Sequence, residues 1–402
     1  MLDTRNILLV GIDLSRLAIS AKNSGYKVYT ADYYGDVDLR KLSDKNQSII
    51  NQTQQYSSGA FKAQYDPKNF IKMVKKLSQH KKFEGMLLSS GLDDAFNVLT
   101  KLNKICTIIG NSPEVIKKIR NREHFFNKLK KMKINHPQTI IISNIDDAIR
   151  EAKDIGFPII IKPMSGFAGS GVRKITNNKQ LIKEFQTLYS LGNKQILLQE
   201  FIEGTSTSVS FLASYPESTL ISINEQLLGL KSTYQQDPFG YCGNITPYVT
   251  NDSTYQKYKK IVYKISKKFN LAGSNGIDIT LSKDNIPYVI EVNPRFQGSL
   301  GCVENIFGIN LVEMHIAACL QKKLPKKIAH SSRYSTRLIL YTPNQIIAPN
   351  LVSEPYLTDI PFPGSIIEKG EPFCSIFTEG ETRNQSYSKA KEIANNVFNV
   401  IL

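Results

Sequence analysis

The chain has 402 residues, 41% of them hydrophobic, and a formal charge of +16, a length that exceeds a single core and predicts two or three domains. No apolar run approaches the eighteen residues of a membrane-spanning helix, and the lysines, among them Lys72, Lys75, Lys76, Lys81 and Lys82, spread through helical stretches without a helix-turn-helix, zinc-finger or RNA-binding motif, so no membrane or nucleic-acid partner is expected. The five cysteines (Cys106, Cys242, Cys302, Cys319 and Cys374) are odd in number and form no C-x-x-C pair, and strand-like residues follow the N-terminus without a basic leader; a reducing cytoplasm is expected, with neither a disulfide framework nor a zinc site.

Residues 1 to about 115 alternate between strand and helix patterns. Ile7 to Val10 reads as a buried strand, Arg16 to Ser24 as a helix stopped by Gly25, and Lys27 to Thr30 as a second strand. Phe70 to Leu77 reads as a helix and Gly85 to Ser89 as a further strand. The alternation predicts a parallel sheet flanked by helices, whose ligands lie at the carboxyl ends of the strands. Asp13, Asp32 and Ser90 to Asp93 fall there, and Gly91, Asp93 and Asp94 are candidates for shaping an acceptor site. The turn from Gly11 to Ser15 lacks the full G-x-G-x-x-G pattern of dinucleotide binding.

Ser112 and Pro113 are suited to N-cap and first helical turn, so a helix is expected from Glu114 to Arg122, leading into a second basic helix through Met132. A helix from Asp146 to Ile155 ends at Gly156. The apolar strand Pro158 to Pro163 then carries Lys162 near its end, a position that suits contact with an anion. In the following loop Ser165, Gly166, Gly169, Ser170 and Gly171 can bring backbone N–H groups against phosphate oxygens. Gln195 to Phe201 reads as a strand ending in Ile202-Glu203-Gly204. Cys242 has no histidine close in sequence, which argues against a thiol nucleophile. Ser253 to Asn270 is a helix with apolar residues at three- and four-residue spacing.

From Gly276 to Leu281 and from Tyr288 to Val292, two apolar runs flank the turn residues Ser282 to Asn285, predicting a β-hairpin. Strand alternation places Asp278 opposite the face of Ile277 and Ile279, and puts Glu291 and Asn293 on one face. Two carboxylates and an amide oxygen make a hard ligand set of the kind Mg²⁺ prefers. Arg295 follows, a fork suited to phosphate. Past it, Asn310 to Leu320 is a helix, and strand patterns at Arg337 to Tyr341, Pro363 to Ile367 and Phe373 to Phe377 precede a helix from Tyr387 to Val400.

The run Glu291-x-Asn293-Pro294-Arg295, with Asp278 on the neighbouring strand, resembles the metal-binding end of the ATP-grasp superfamily. With Gly11-Ile12-Asp13 and Asp32 to Asp36 included, the chain is most similar to archaeal ATP-dependent carboligases of that superfamily. The resemblance implies an α/β and α+β protein. A Rossmann-like parallel-sheet domain (1–115) would precede an ATP-grasp domain (116–330) and a small strand-rich C-terminal cap (331–402). It implies ATP and Mg²⁺ (or Mn²⁺) as cofactors, with Asp278, Glu291 and Asn293 on the metal and Arg295 and Lys162 as catalytic groups. Nucleotide contacts would come from Arg122, standing where a lysine is usual, from Lys162, from the lid residues Ser165, Gly166, Gly169, Ser170 and Gly171, and from Gln199, Glu200, Phe201 and Ile202 around adenine. Ser206 or Glu203 would reach the ribose, and Glu225, Gln226 and Asn244 would lie near the acceptor or phosphates. The implied reaction joins a small-molecule carboxylate to an amine through an acyl phosphate, in a cytoplasmic protein that could be a homodimer. Carboxylase-like or kinase-like chemistry, and a non-catalytic ATP-binding regulator, are the alternatives.

Overall fold

The computed structural model of the chain describes residues 5–401 apart from Ser58, His80 and His330. The first sheet is parallel, with strands in the order Lys45–Ser48, Lys27–Asp32, Asn6–Val10 and Met86–Leu88. Helices Ser15–Asn23, Asn69–Ser78 and Phe96–Ile105 cover it. Its strands bury Ile7, Leu8, Leu9 and Val10 completely, the continuous apolar run of a strand covered on both faces.

The predicted helix from Glu114 to Arg122 is instead Pro113–Arg120, and a second helix, Arg122–Lys131, starts at once. Asn121 makes the break: its extended backbone ends the first helix while its side-chain oxygen accepts from the His124 N–H to cap the second. Asparagine caps four further helices in the same way, at Asn144, Asn177, Asn251 and Asn310. Because of the break, Arg120 and Arg122 leave the backbone in one neighbourhood.

Four antiparallel strands, in the order Thr139–Ile142, Ile196–Glu200, Ile159–Pro163 and Arg173–Ile175, form a small sheet packed on helices Ile145–Ile155 and Asn178–Ser190. The large sheet is antiparallel throughout and has eight strands: Pro287–Asn293, Ala272–Ser282, Gly204–Ser214, Glu217–Leu228, Tyr241–Thr246, Tyr334–Tyr341, Pro372–Gly380 and Leu357–Thr358. Helix Asp252–Phe269 lies on one face of it, burying Tyr258, Ile261, Val262, Ile265 and Phe269 against Phe211, Ile277 and Val292. Burying each such side chain contributes about 2 kcal/mol. Tyr258 adds a polar tie, since its hydroxyl is 2.8 Å from Thr207 Oγ1.

The segment expected as a small C-terminal cap continues this same sheet. Tyr334–Tyr341 pairs directly with Tyr241–Thr246, and helix Arg383–Ile401 packs on the shared strands. A helix that the sequence reading omitted, Leu300–Phe307, turns through 101° into Leu311–Leu320; among the described residues no single helix is long and apolar enough to cross a membrane. All five cysteines are free.

Asn111 joins the parallel-sheet domain to the hairpin. Its Nδ2 donates to Asn275 Oδ1 (2.7 Å) and to the Pro294 carbonyl (3.1 Å), while its Oδ1 accepts from the Ala272 N–H (2.9 Å), all with the residue 3% exposed. Asn111→Leu would strand buried polar groups at roughly 1–3 kcal/mol each, so a clear fall in the urea unfolding midpoint is expected.

Candidate active site

Asp278 and Glu291 are register partners across the hairpin, and a bulge follows Asp278. Valine and isoleucine neighbours fix the orientation: Ile277, Ile279 and Val292 are buried beneath, which turns the acids to the other face. Asn293 Nδ2 donates to Asp278 Oδ2 (3.0 Å) and Gln226 Nε2 to Asp278 Oδ1 (2.9 Å). Arg295 Nη2 lies 3.4 Å from Asn293 Oδ1. The three oxygen-bearing side chains expected to converge therefore do so.

Around them stands a ring of cations. Arg120 Nη1 and Arg122 Nη2 donate to the same Glu291 oxygen, at 3.4 and 3.2 Å. Arg120 also makes a two-pronged bond to Asp94 (2.7 and 2.8 Å). Arg295 is held by Asp93 (3.2 Å) and by the Phe296 carbonyl (2.8 Å). Burial would raise the Glu291 carboxyl, but Arg120, Arg122 and Lys162 outweigh it and hold the group below its usual range. Asp278 moves the other way, raised by burial and then by the charge of Glu291 facing it. Three arginines (Arg120, Arg122 and Arg295) are thus paired with three carboxylates (Asp93, Asp94 and Glu291), with Lys162 and Asp278 standing beside them outside any ion pair among the described residues.

Lys162 sits at the end of its strand, half-buried among these groups. Burial, followed by the like charge of Arg122, lowers its ammonium to about 8. The glycine-rich loop after it is folded over the site: the Ala168 carbonyl accepts from the Tyr241 N–H (3.0 Å), and Phe167 stacks on Phe61 of the first domain with ring centroids 5.4 Å apart. Gly169 has φ +78°, and a methyl group there would collide with the Phe239 carbonyl, so this loop can close only with glycine at that position.

Beside the loop, Ile160, Phe201, Ile202, Ile279 and Ile290 line an apolar slot, with Gln199 and Glu200 at the strand end. Gln199 Nε2 donates to Thr139 Oγ1 and Glu200 Oε2 accepts from the Gln138 N–H, while the Glu200 N–H donates to the Gln138 carbonyl (2.9 Å). Among the described residues the Ile202 N–H has no protein acceptor. Slot, charged cluster and the strand ends of the first domain open into one cavity of about 560 Å³.

A family model described as an ATP-grasp domain matches residues 119–299. Those residues form an ATP-grasp domain. An uncharacterized protein of Methanocaldococcus jannaschii is 29% identical over 97% of this chain and 94% of its own length. Biotin carboxylase from Campylobacter jejuni, solved as a β,γ-ATP complex, shares the fold at TM-score 0.75 and 16% identity, covering 96% of this chain and 90% of that one. L-amino acid ligase from Bacillus licheniformis does so at TM-score 0.72 and 16% identity over 98% and 97%.

Within the ATP-grasp frame, Arg122, Lys162, Gly166, Gly169, Ser170, Gln199, Glu200, Phe201, Ile202, Asp278, Glu291, Asn293 and Arg295 all line the cavity. Ser165 and Gly171 do not; Gly171 instead packs toward Pro163. Ser206 is on the wall, whereas Glu203 is exposed and paired with Lys283 (3.0 Å). Gln226 reaches the metal-type cluster, but Glu225 points away into a two-pronged bond with Arg383, and Asn244 is buried against Tyr241 and Thr246. Asp32 is fully buried and serves its own loop through Gly35 and Asn46. Cys242 is an interior thiol raised by burial.

Two cavity arginines escaped the sequence reading. Arg120 lies two residues before the expected contact, at the end of the first helix and on the side of its buried Ile116 and Ile119. Arg337, 3% exposed, pairs with Asp13 (2.5 Å) and Asp359 (3.1 Å) from within an apolar strand of the C-terminal segment. An arginine in the run Arg337-Leu338-Ile339-Leu340-Tyr341 was itself a signal, because a charge inside such a strand is expensive unless paired.

With its ammonium lowered to about 8, Lys162 is roughly half neutral at pH 8, whereas an ordinary lysine is almost wholly charged. Brief treatment with an amine-acylating reagent at pH 8 is expected to modify Lys162 ahead of the surface lysines, as read by peptide mass spectrometry.

Proposed function

We propose that the protein is an ATP-dependent ligase that joins a carboxylate to an amine or related nucleophile through an acyl phosphate, releasing ADP and phosphate. The observation that carries this reading is the convergence of Asp278, Glu291 and Asn293 with Lys162, Arg120, Arg122 and Arg295 on one wall of a cavity. The opposite wall belongs to a separate parallel-sheet domain, which leaves room for a second substrate beside the nucleotide.

The donor set fits a hard divalent cation. Two carboxylates oppose each other with an amide beside them, and the three arginines of the cluster are already paired with acids. A triphosphate entering it brings negative charge that the protein alone does not offset. Asp278, Glu291 and Asn293 would hold Mg²⁺ or Mn²⁺, which when bound supplies that missing positive charge.

The chain's own residues do the rest. The slot at Ile160, Phe201, Ile202 and Ile290 takes the base, and the free Ile202 N–H donates to it. Lys162 and Arg122 meet the phosphates, and the loop at Gly169 and Ser170 covers them and excludes water. Arg295, aimed by Asp93, lies where an attacking carboxylate and the transferring phosphoryl group come together. Two anions must meet there, and prepositioned positive groups lower the cost of that approach.

The same site would serve a carboxylase-like enzyme that activates bicarbonate. ADP release measured with bicarbonate, with carboxylates alone, and with carboxylates plus amines separates the readings: the ligase requires both organic partners. Glu291→Gln is expected to lower turnover by about 100-fold or more while leaving the circular dichroism spectrum unchanged; near-normal ADP production by that variant would remove the metal assignment. Lys162→Met is expected to weaken ATP binding in a fluorescence titration, with little effect on thermal stability.

A further inference from the structure

The cavity extends past Arg295 to a second end, between the first domain and the C-terminal segment, that none of the steps above uses. Asp36 lies on its wall, only 8% exposed. Its Oδ1 accepts from Gln52 Nε2 at 3.2 Å, and among the described residues it makes no ion pair. Asp13, Asp93, Glu291 and Asp359 of the same cavity each have an arginine within 3.4 Å, whereas Asp36, like Asp278 at the hairpin, is met by a side-chain amide instead.

The surroundings do not supply the missing cation. Asp36 is faced by Asp32, Asp38 and Asp359, and burial together with those acids pushes its carboxyl well above the usual range. Arg40 acts on Asp32, and Arg337 is taken by Asp13 and Asp359. Asp38 is spent on the backbone N–H groups of Asp359 and Ile360, both at 3.0 Å. A carboxyl buried without a cation keeps its proton, and it ionises only when something positive comes to it. Asp36 is open to the cavity. Tyr34, Ile50 and Phe167 line the same space and offer apolar and aromatic surface beside the charge.

Taking the ligase reading as given, we propose that one of the two substrates joined here carries an ammonium group, received by Asp36, with its carbon frame against Tyr34, Ile50 and Phe167. Because Phe167 belongs to the glycine-rich loop, the seat is complete only when that loop lies over the nucleotide.

The test is calorimetric, on the full chain with Mg²⁺ and a non-hydrolysable ATP analogue, using n-pentylamine, 1-pentanol, pentanoate and bicarbonate as probes. Pentylamine should bind on the order of ten-fold tighter than pentanol, the gain of a charge-assisted hydrogen bond. Asp36→Asn, which keeps the side chain's shape, should erase that preference while leaving binding of the ATP analogue unchanged, and Asp36→Glu should restore part of it. The assignment is overturned if the wild-type protein binds amine and alcohol alike, if pentanoate or bicarbonate binds best, or if Asp36→Asn keeps the preference. Nucleotide binding without amine preference sinks this assignment alone, whereas failure of the wild-type protein to bind nucleotide sinks the ligase reading beneath it.

Discussion

Two carboxylates that repel one another are built into facing positions of one hairpin, at Asp278 and Glu291, and much of the molecule answers that constraint. Apolar residues on either side in sequence bury the hairpin's reverse face and prevent the acids from turning away. Glu291 stays ionised because Arg120 and Arg122 share one of its oxygens; Asp278 is served by amides from Gln226 and Asn293 rather than by a cation. The asymmetry leaves one strongly anionic group and one that is reluctant to ionise, an arrangement that a divalent cation would relieve.

The cations come from three places. Arg120 and Arg122 project from helices that meet at Asn121, Lys162 ends a strand of the small sheet, and Arg295 follows the hairpin itself. Each arginine is held by an acid, so the charges are fixed in place before any ligand arrives. That is the preorganisation which lets electrostatic stabilisation act without reorganisation at the moment of reaction.

Much of this was legible in the sequence because it is local. The alternation around Asp278, Glu291 and Asn293, the lysine ending an apolar strand, and the glycine loop after it all carry their meaning within a few residues, and the structure brings most of them to one cavity. What the sequence reading left out depends on contacts distant along the chain. Arg120 reads as one more basic residue on an amphipathic helix, and only its partners Asp94 and Glu291, distant along the chain, mark it as part of the cluster. Glu225 was expected in the site but lies on the opposite strand face, where Arg383, far along the chain, takes it. The residues after 330 read as an appendage because their strands carry no motif; only pairing with Tyr241–Thr246 shows that they complete the central sheet and bring Arg337 and Asp359 to the cavity.

The Asp93–Arg295 pair shows how far the two halves of the chain depend on one another. Asp93 follows a strand of the parallel sheet, while the guanidinium it steadies belongs to the ATP-grasp hairpin, more than two hundred positions later. The fold changes near residue 115, yet the chemistry does not respect that seam. A fragment cut there would keep Lys162, the glycine-rich loop and the facing acids Asp278 and Glu291 and still lose the carboxylate that steadies Arg295, so in this architecture the modules that folding distinguishes cannot be exchanged independently.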